Sequence, residues 1–307
     1  MRQKTSPTAL TARRADVLEH LADSLHTQSR RYRKRLNRCQ VDFSGESIHD
    51  ARVEARRLLA TIELLGAFLP ERELQKARRV LKQQLDTFDP LRDTQVQLVY
   101  VGRMTRAFPA ARGFREWLLK RETRLTRETR KATKRIKTKR LTRRLAAFEA
   151  AIRHRRKHAT RDLAVAAVQR AMDRAFARVA RLGQRVTAAN PKTIHRTRIA
   201  FKRFRYMVEA LAPLLPAVTD QHRRALRGYQ SMMGDIQDVA VLLAALDKFL
   251  RKQESNTAAA GRLRNELLRR RQWLIQVYVN AADKLRRFWP PPGHAAVAGR
   301  KSKRPTR

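Results

Sequence analysis

The chain has 307 residues, with 71 Lys or Arg against 27 Asp or Glu, a formal charge of +44. Such a surplus repels itself and calls for a phosphate-rich partner: nucleic acid, inorganic polyphosphate or an anionic membrane surface. The lone cysteine, Cys39, excludes an intrachain disulfide and a cysteine-rich metal site, and the lack of any run near about eighteen apolar residues excludes a membrane-spanning helix.

Apolar residues make up 42% of the chain, Gly (10) and Pro (11) are sparse, and Ala, Leu and Arg dominate. That composition predicts an all-α fold. Helical periodicity starts near Ala12 and runs to about Cys39. VDFSGES then reads as a loop, with Ser47 as the expected N-cap. A second helix is expected from Ile48 to about Phe68, and a third, opened by Pro70, reaches about Phe88, where Asp89 and Pro90 should break it. A fourth carries Leu91 to about Phe108, and a long basic helix covers roughly Arg112 to His158. The rest of the chain repeats the plan: a helix from about Arg161 to Ala189, a break at AANP, then helices near 193–212, 217–233, 235–253 and 257–288. The expected layout is a flexible arm over 1–9, one domain over 10–289 and a disordered basic tail over 290–307. The N-terminus has no apolar segment of the signal-peptide kind, which predicts a cytoplasmic chain.

The domain divides into two repeats, about 10–159 and 160–289. IHDARVEARRLLA at 48–60 returns as IHRTRIAFKRFRY at 194–206. At an offset of 146, His49, Arg52, Arg56, Arg57 and Glu63 match His195, Arg198, Lys202, Arg203 and Glu209. At an offset of 145, Arg78, Arg79, Lys82 and Asp93 match Arg223, Arg224, Arg227 and Asp238. Two homologous antiparallel helical bundles related by a pseudo-twofold axis are the simplest architecture.

At about 100° per residue, His49, Arg52 and Arg56 share one face of their helix, as do His195, Arg198, Lys202 and Arg205 in the second copy. Ala55, Leu58, Ile62 and Leu65 form a neighbouring apolar stripe, matched by Phe201, Phe204, Val208 and Leu211. Arg57 and Arg203 point away, toward open solvent. Solvated faces usually mix signs, whereas these stripes are nearly all positive. Arginine suits phosphate because its planar fork bonds two oxygens at once and stays charged. Neutral histidines among these cations can donate one N–H, and a bound polyanion favours their protonated form. The recurring acids, Glu63 and Glu209 with Asp93 and Asp238, are expected to position these cations, a buried carboxylate holding an arginine and aiming it.

Other constellations are weaker. His49-Asp50 has the look of a phosphohydrolase metal pair, but the repeat puts Arg196 opposite Asp50. His154 and His158 have metal spacing in HRRKH, yet three cations separate them. No Walker loop, Gly-rich fingerprint or nucleophile elbow occurs. Residues 120–144 carry thirteen cations and two acids. Lys120, Arg124, Arg127, Lys131 and Lys134 line one face there, which fits an extension of a phosphate groove, a surface for duplex DNA or a solubilising helix.

In H-x-x-R-[VI]-x-x-[RK]-R, present as HDARVEARR and HRTRIAFKR, the chain resembles the CHAD domain family (conserved histidine α-helical domain). FDPLRDTQVQL, MGDIQDVAVLL and RYMVEAL add to the likeness, which spans roughly Leu10 to Phe288. The resemblance implies two helical bundles with a basic central surface that binds inorganic polyphosphate, often at polyphosphate granules and in some members at polyhydroxyalkanoate granules. It implies phosphate-binding roles for His49, Arg52, Arg56, His195, Arg198, Lys202 and Arg205. Arg79, Lys82, Arg224 and Arg227 are further candidates. Leu59 stands where the second copy has Arg205, so the first half should grip less tightly. Many CHAD domains adjoin a triphosphate-cleaving CYTH domain, whose Glu-x-Glu-x-Lys signature this sequence lacks. The expectation is a non-enzymatic polyphosphate binder without cofactor or metal. The alternatives are a nonspecific nucleic-acid binder, which the 6% aromatic content disfavours for single strands, and a structural protein of polyhydroxyalkanoate granules.

Overall fold

The computed structural model describes residues 16–134, 136, 138–252 and 258–290. The expected arm at 1–9 and the tail beyond 290 lie outside them. The described residues form nine α-helices: α1 (Val17–Asp42), α2 (Gly45–Leu65), α3 (Glu71–Met104), α4 (Ala111–Lys134), α5 (Thr138–Arg156), α6 (Arg161–Gly183), α7 (Pro191–Leu211), α8 (Asp220–Lys252) and α9 (Ala258–Asn280). Two 3-10 segments, Ala212–Leu214 and Ala282–Phe288, complete the helical structure, and no strand occurs among the described residues.

The helix that opens the first motif starts earlier than the sequence suggests. Ser44, not Ser47, is the N-cap, and its hydroxyl accepts from the Ser47 amide at 3.2 Å. Ser47 lies inside the helix and donates its hydroxyl to the Asp42 carboxylate. Before the cap, Phe43 takes a left-handed conformation with φ of 51°. That ends α1 and turns the chain into α2.

Asp89 and Pro90 do not break α3, which runs through both. Proline removes one ladder bond, but Phe88 and Leu91 are buried on either side and hold the helix to its neighbours. Gly234 likewise leaves α8 continuous, between buried Met233 and Ile236. Conversely, the single long basic helix expected over 112–158 is two helices. α4, with Phe114 and Leu118 buried, packs on α3 and sets Phe114 against Phe249 of α8, whereas α5, with Leu145, Phe148 and Ile152 buried, packs on α1, and one straight helix cannot serve both places.

Packing follows chain order within each half: α1 on α2, α2 on α3 and α3 on α4, then α6 on α7, α7 on α8 and α8 on α9. The halves join where α2 lies against α7 and α3 against α8. Both apolar stripes read from the sequence are buried: Ala55, Leu58, Ile62 and Leu65 on α2, and Phe201, Phe204, Val208 and Leu211 on α7. Their burial fixes the rotation of each helix and so directs the adjacent cationic face toward the seam between the halves.

Candidate functional site

α2, α3, α7 and α8 surround a cleft of about 330 Å³ at this seam. Arg52 and Arg56 enter it from α2, and His195, Arg198 and Lys202 from α7. Asp89, Asp93 and Asp238 line it from α3 and α8. Five of the residues expected from the two motifs therefore meet in one place.

The cations differ in what holds them. Arg52 is buried and anchored, donating to the Asp89 carboxylate and to the Leu85 carbonyl at 3.0 Å. The carboxylate that aims an arginine is thus Asp89, not Asp93 or Asp238, neither of which forms an ion pair among the described residues. In the second copy the position matching Asp89 is Gly234, and a Cβ there would lie 3.9 Å from Arg198 Nε. Among the described residues Arg198 forms no salt bridge and its buried Nε no hydrogen bond, and His195 Nδ1 is likewise buried without a hydrogen-bond partner. Arg56 and Lys202 carry no ion pair among the described residues.

Electrostatic strain is concentrated here. Burial first, then repulsion from Arg56, Arg198 and Arg52, pushes the Lys202 ammonium down to about 6. Burial and Arg52 lower Arg56 to about 10, leaving it charged at neutral pH. The Asp93 carboxyl is raised by desolvation against the cleft wall and by Asp89, and that of Asp238 by desolvation and by Asp235. The downshifts of Lys202 and Arg56 mark a cleft crowded with positive charge.

The remaining candidates lie elsewhere. His49 sits outside the cleft lining, and desolvation and nearby Arg92 lower its pKa. Arg79 and Lys82 line an adjoining groove of about 930 Å³ between α2, α3 and α7, which shares Arg56, Ile199 and Lys202 with the cleft. Arg227 lines a separate groove of about 490 Å³ that includes Arg31, Arg57 and Arg223. Arg224 is exposed and lines neither. Arg205 is not a cleft residue: it is buried, donates to Glu209 at 2.5 Å and to Gln230 at 2.7 Å, and lies 4.2 Å over the Tyr206 ring. Its guanidinium is therefore not among the groups that line the cleft.

Sequence reasoning missed three participants. Arg203 is exposed, as expected, but it also crosses the seam to pair with Glu63 and lines the larger groove. Arg57 is held by Glu54 at 2.5 Å. Asp89 was hidden by its place before a proline. The recurrence of Glu63 and Arg203 in the repeat was the available signal for their pairing. On α4, Lys120, Arg124, Arg127, Lys131 and Lys134 are all exposed. No group of three or more His, Cys, Asp or Glu that could hold a metal occurs among the described residues, and no helix among them is long and apolar enough to cross a membrane.

The chain matches no curated protein. Its fold is similar to two solved structures. The crystal structure of the CHAD domain from the plant Ricinus communis gives a TM-score of 0.67 at 19% identity, covering 91% of this chain and 97% of that one. PptA from Streptomyces chartreusis gives 0.66 at 15% identity, covering 89% and 100%. The CHAD domain model matches residues 24–247, more than half the sequence, and the chain belongs to the CHAD domain family.

Proposed function

We propose that this protein binds inorganic polyphosphate in the cleft between α2 and α7, as a holding protein with no covalent step, and that it does so at polyphosphate granules. The observation that carries the reading is a set of basic side chains that form no salt bridge among the described residues: Arg56, Arg198 and Lys202 converge on one cleft. A phosphate chain supplies repeated negative oxygens to all three. Arg52 and His195 complete the grip, the former pre-aimed by Asp89. The cleft, of about 330 Å³, suits a single phosphate thread. A duplex, whose major groove alone is about 12 Å wide, meets only the exposed cations of surfaces such as α4.

The test is competition near physiological salt. Labelled long-chain polyphosphate is bound and then challenged with duplex DNA at matched phosphate concentration. The expected result is retention of polyphosphate, with binding lost in the variant carrying Arg52→Ala, Arg56→Ala, Arg198→Ala and Lys202→Ala. Equal competition by DNA together with an unaffected variant would sink the reading, because generic charge binds either polyanion.

A further inference from the structure

The two grooves beside the cleft come from matching parts of the repeat, yet only one of them opens into it. We propose that a bound polyphosphate chain leaves the cleft on one side only, through the groove of Arg79 and Lys82, because Arg205 and Tyr206 plug the matching exit of the second half. This rests on the cleft being the polyphosphate site.

In the first copy, positions 59 and 60 are Leu and Ala; in the second they become Arg205 and Tyr206. Beside Leu59 and Ala60 the larger groove is continuous with the cleft through Arg56, Ile199 and Lys202. The smaller groove shares no lining residue with the cleft, and it meets the larger groove only at Tyr206, which lines both and stands between them. Along α7, Arg205 lies between Lys202, which faces the cleft, and Glu209, which faces the smaller groove. Its hydrogen bonds to Glu209 and Gln230 fix it there, and Tyr206 is packed beneath its guanidinium. Both side chains are buried, so the volume that Leu59 and Ala60 leave open is filled.

The charges agree with the shape. Arg79 and Lys82 are exposed and form no ion pair among the described residues. In the smaller groove Arg57 is held by Glu54, Arg223 by Asp220, and Arg227 lies 3.6 Å from Glu209. Three of its cations are therefore already occupied, as are Arg78 and Arg203 in the larger groove, so the difference rests on the free Arg79 and Lys82.

Binding of tripolyphosphate and of a long chain is measured for three double variants. Arg79→Ala with Lys82→Ala is expected to weaken the long chain by about tenfold or more and to leave tripolyphosphate, too short to leave the cleft, unchanged. Arg31→Ala with Arg227→Ala should change neither ligand beyond about twofold, since a general loss of charge affects surface cations weakly near physiological salt. Arg205→Leu with Tyr206→Ala, which installs the first-copy residues, should raise the number of phosphates covered per protein at saturation. Equal losses in the first two variants, or no loss in the first, overturn the one-sided path even if the third variant fails to fold. Failure of the wild type to bind either ligand instead overturns the cleft as the polyphosphate site.

Discussion

At the scale of single residues, Lys202 makes the site sensitive to pH in two opposed ways. Its free ammonium is pushed down to about 6, against 10.5 for the ordinary side chain. Between those values the unfolded chain binds a proton that the folded chain does not, so the stability of the free protein rises with pH across that window. Below about 6 both states are protonated, and the cost of the crowded charge is present in full. A polyanion reverses the balance by favouring the ammonium, so binding takes up a proton. Polyphosphate affinity should accordingly fall as pH rises from 6 to 8, measured by titration calorimetry at fixed ionic strength. Lys202→Met should weaken binding at pH 6 and remove most of this slope. A wild-type affinity that is flat across this range would show that Lys202 does not meet phosphate.

At the scale of elements, the local punctuation of the chain was harder to read than its faces. The buried stripes of α2 and α7 were legible because a 3.6-residue period averages over several side chains. The Ser44 cap was not: Ser44 and Ser47 both precede an apolar run, and the choice between them depends on the left-handed Phe43, which a sequence does not display. Ser44→Ala removes the acceptor for the Ser47 amide and should cost about 1 kcal/mol of stability, read as a lowered thermal midpoint with polyphosphate affinity preserved. Pro90 misled for a related reason. A proline argues for a helix end only where tertiary contacts do not override it, and here Phe88 and Leu91 are both buried. The same turn is where Arg52 reaches the Leu85 carbonyl and Asp89, so the supposed break is part of the site. Arg205 was misplaced because angular position on a helix gives a direction but not what fills the space. Glu209 four residues later and Gln230 on α8 draw its guanidinium inward.

At the scale of the molecule, the charge of +44 and the packing of α2 against α7 work against each other. Burying each apolar stripe packs its own half, as Phe201 and Phe204 do against Tyr229 and Phe176, and turns Arg52, Arg56, Arg198 and Lys202 toward one shared cleft. Two separable effects on stability follow. General self-repulsion is a sum over the whole surface and is screened by any salt, with a Debye length near 10 Å at about 0.1 M. Occupation of the cleft is a binding equilibrium and adds about 2.7 kcal/mol when free ligand reaches about one hundred times its dissociation constant. Sodium chloride should thus raise the thermal midpoint of the wild type and of the Arg56→Ala, Arg198→Ala variant alike. Polyphosphate added at constant ionic strength should raise the wild-type midpoint further, while the variant should lose most of that increment. If both chains gained equally from polyphosphate, the stabilisation would belong to the surface as a whole. The seam would then be a by-product of helix packing rather than the place where the charge is used.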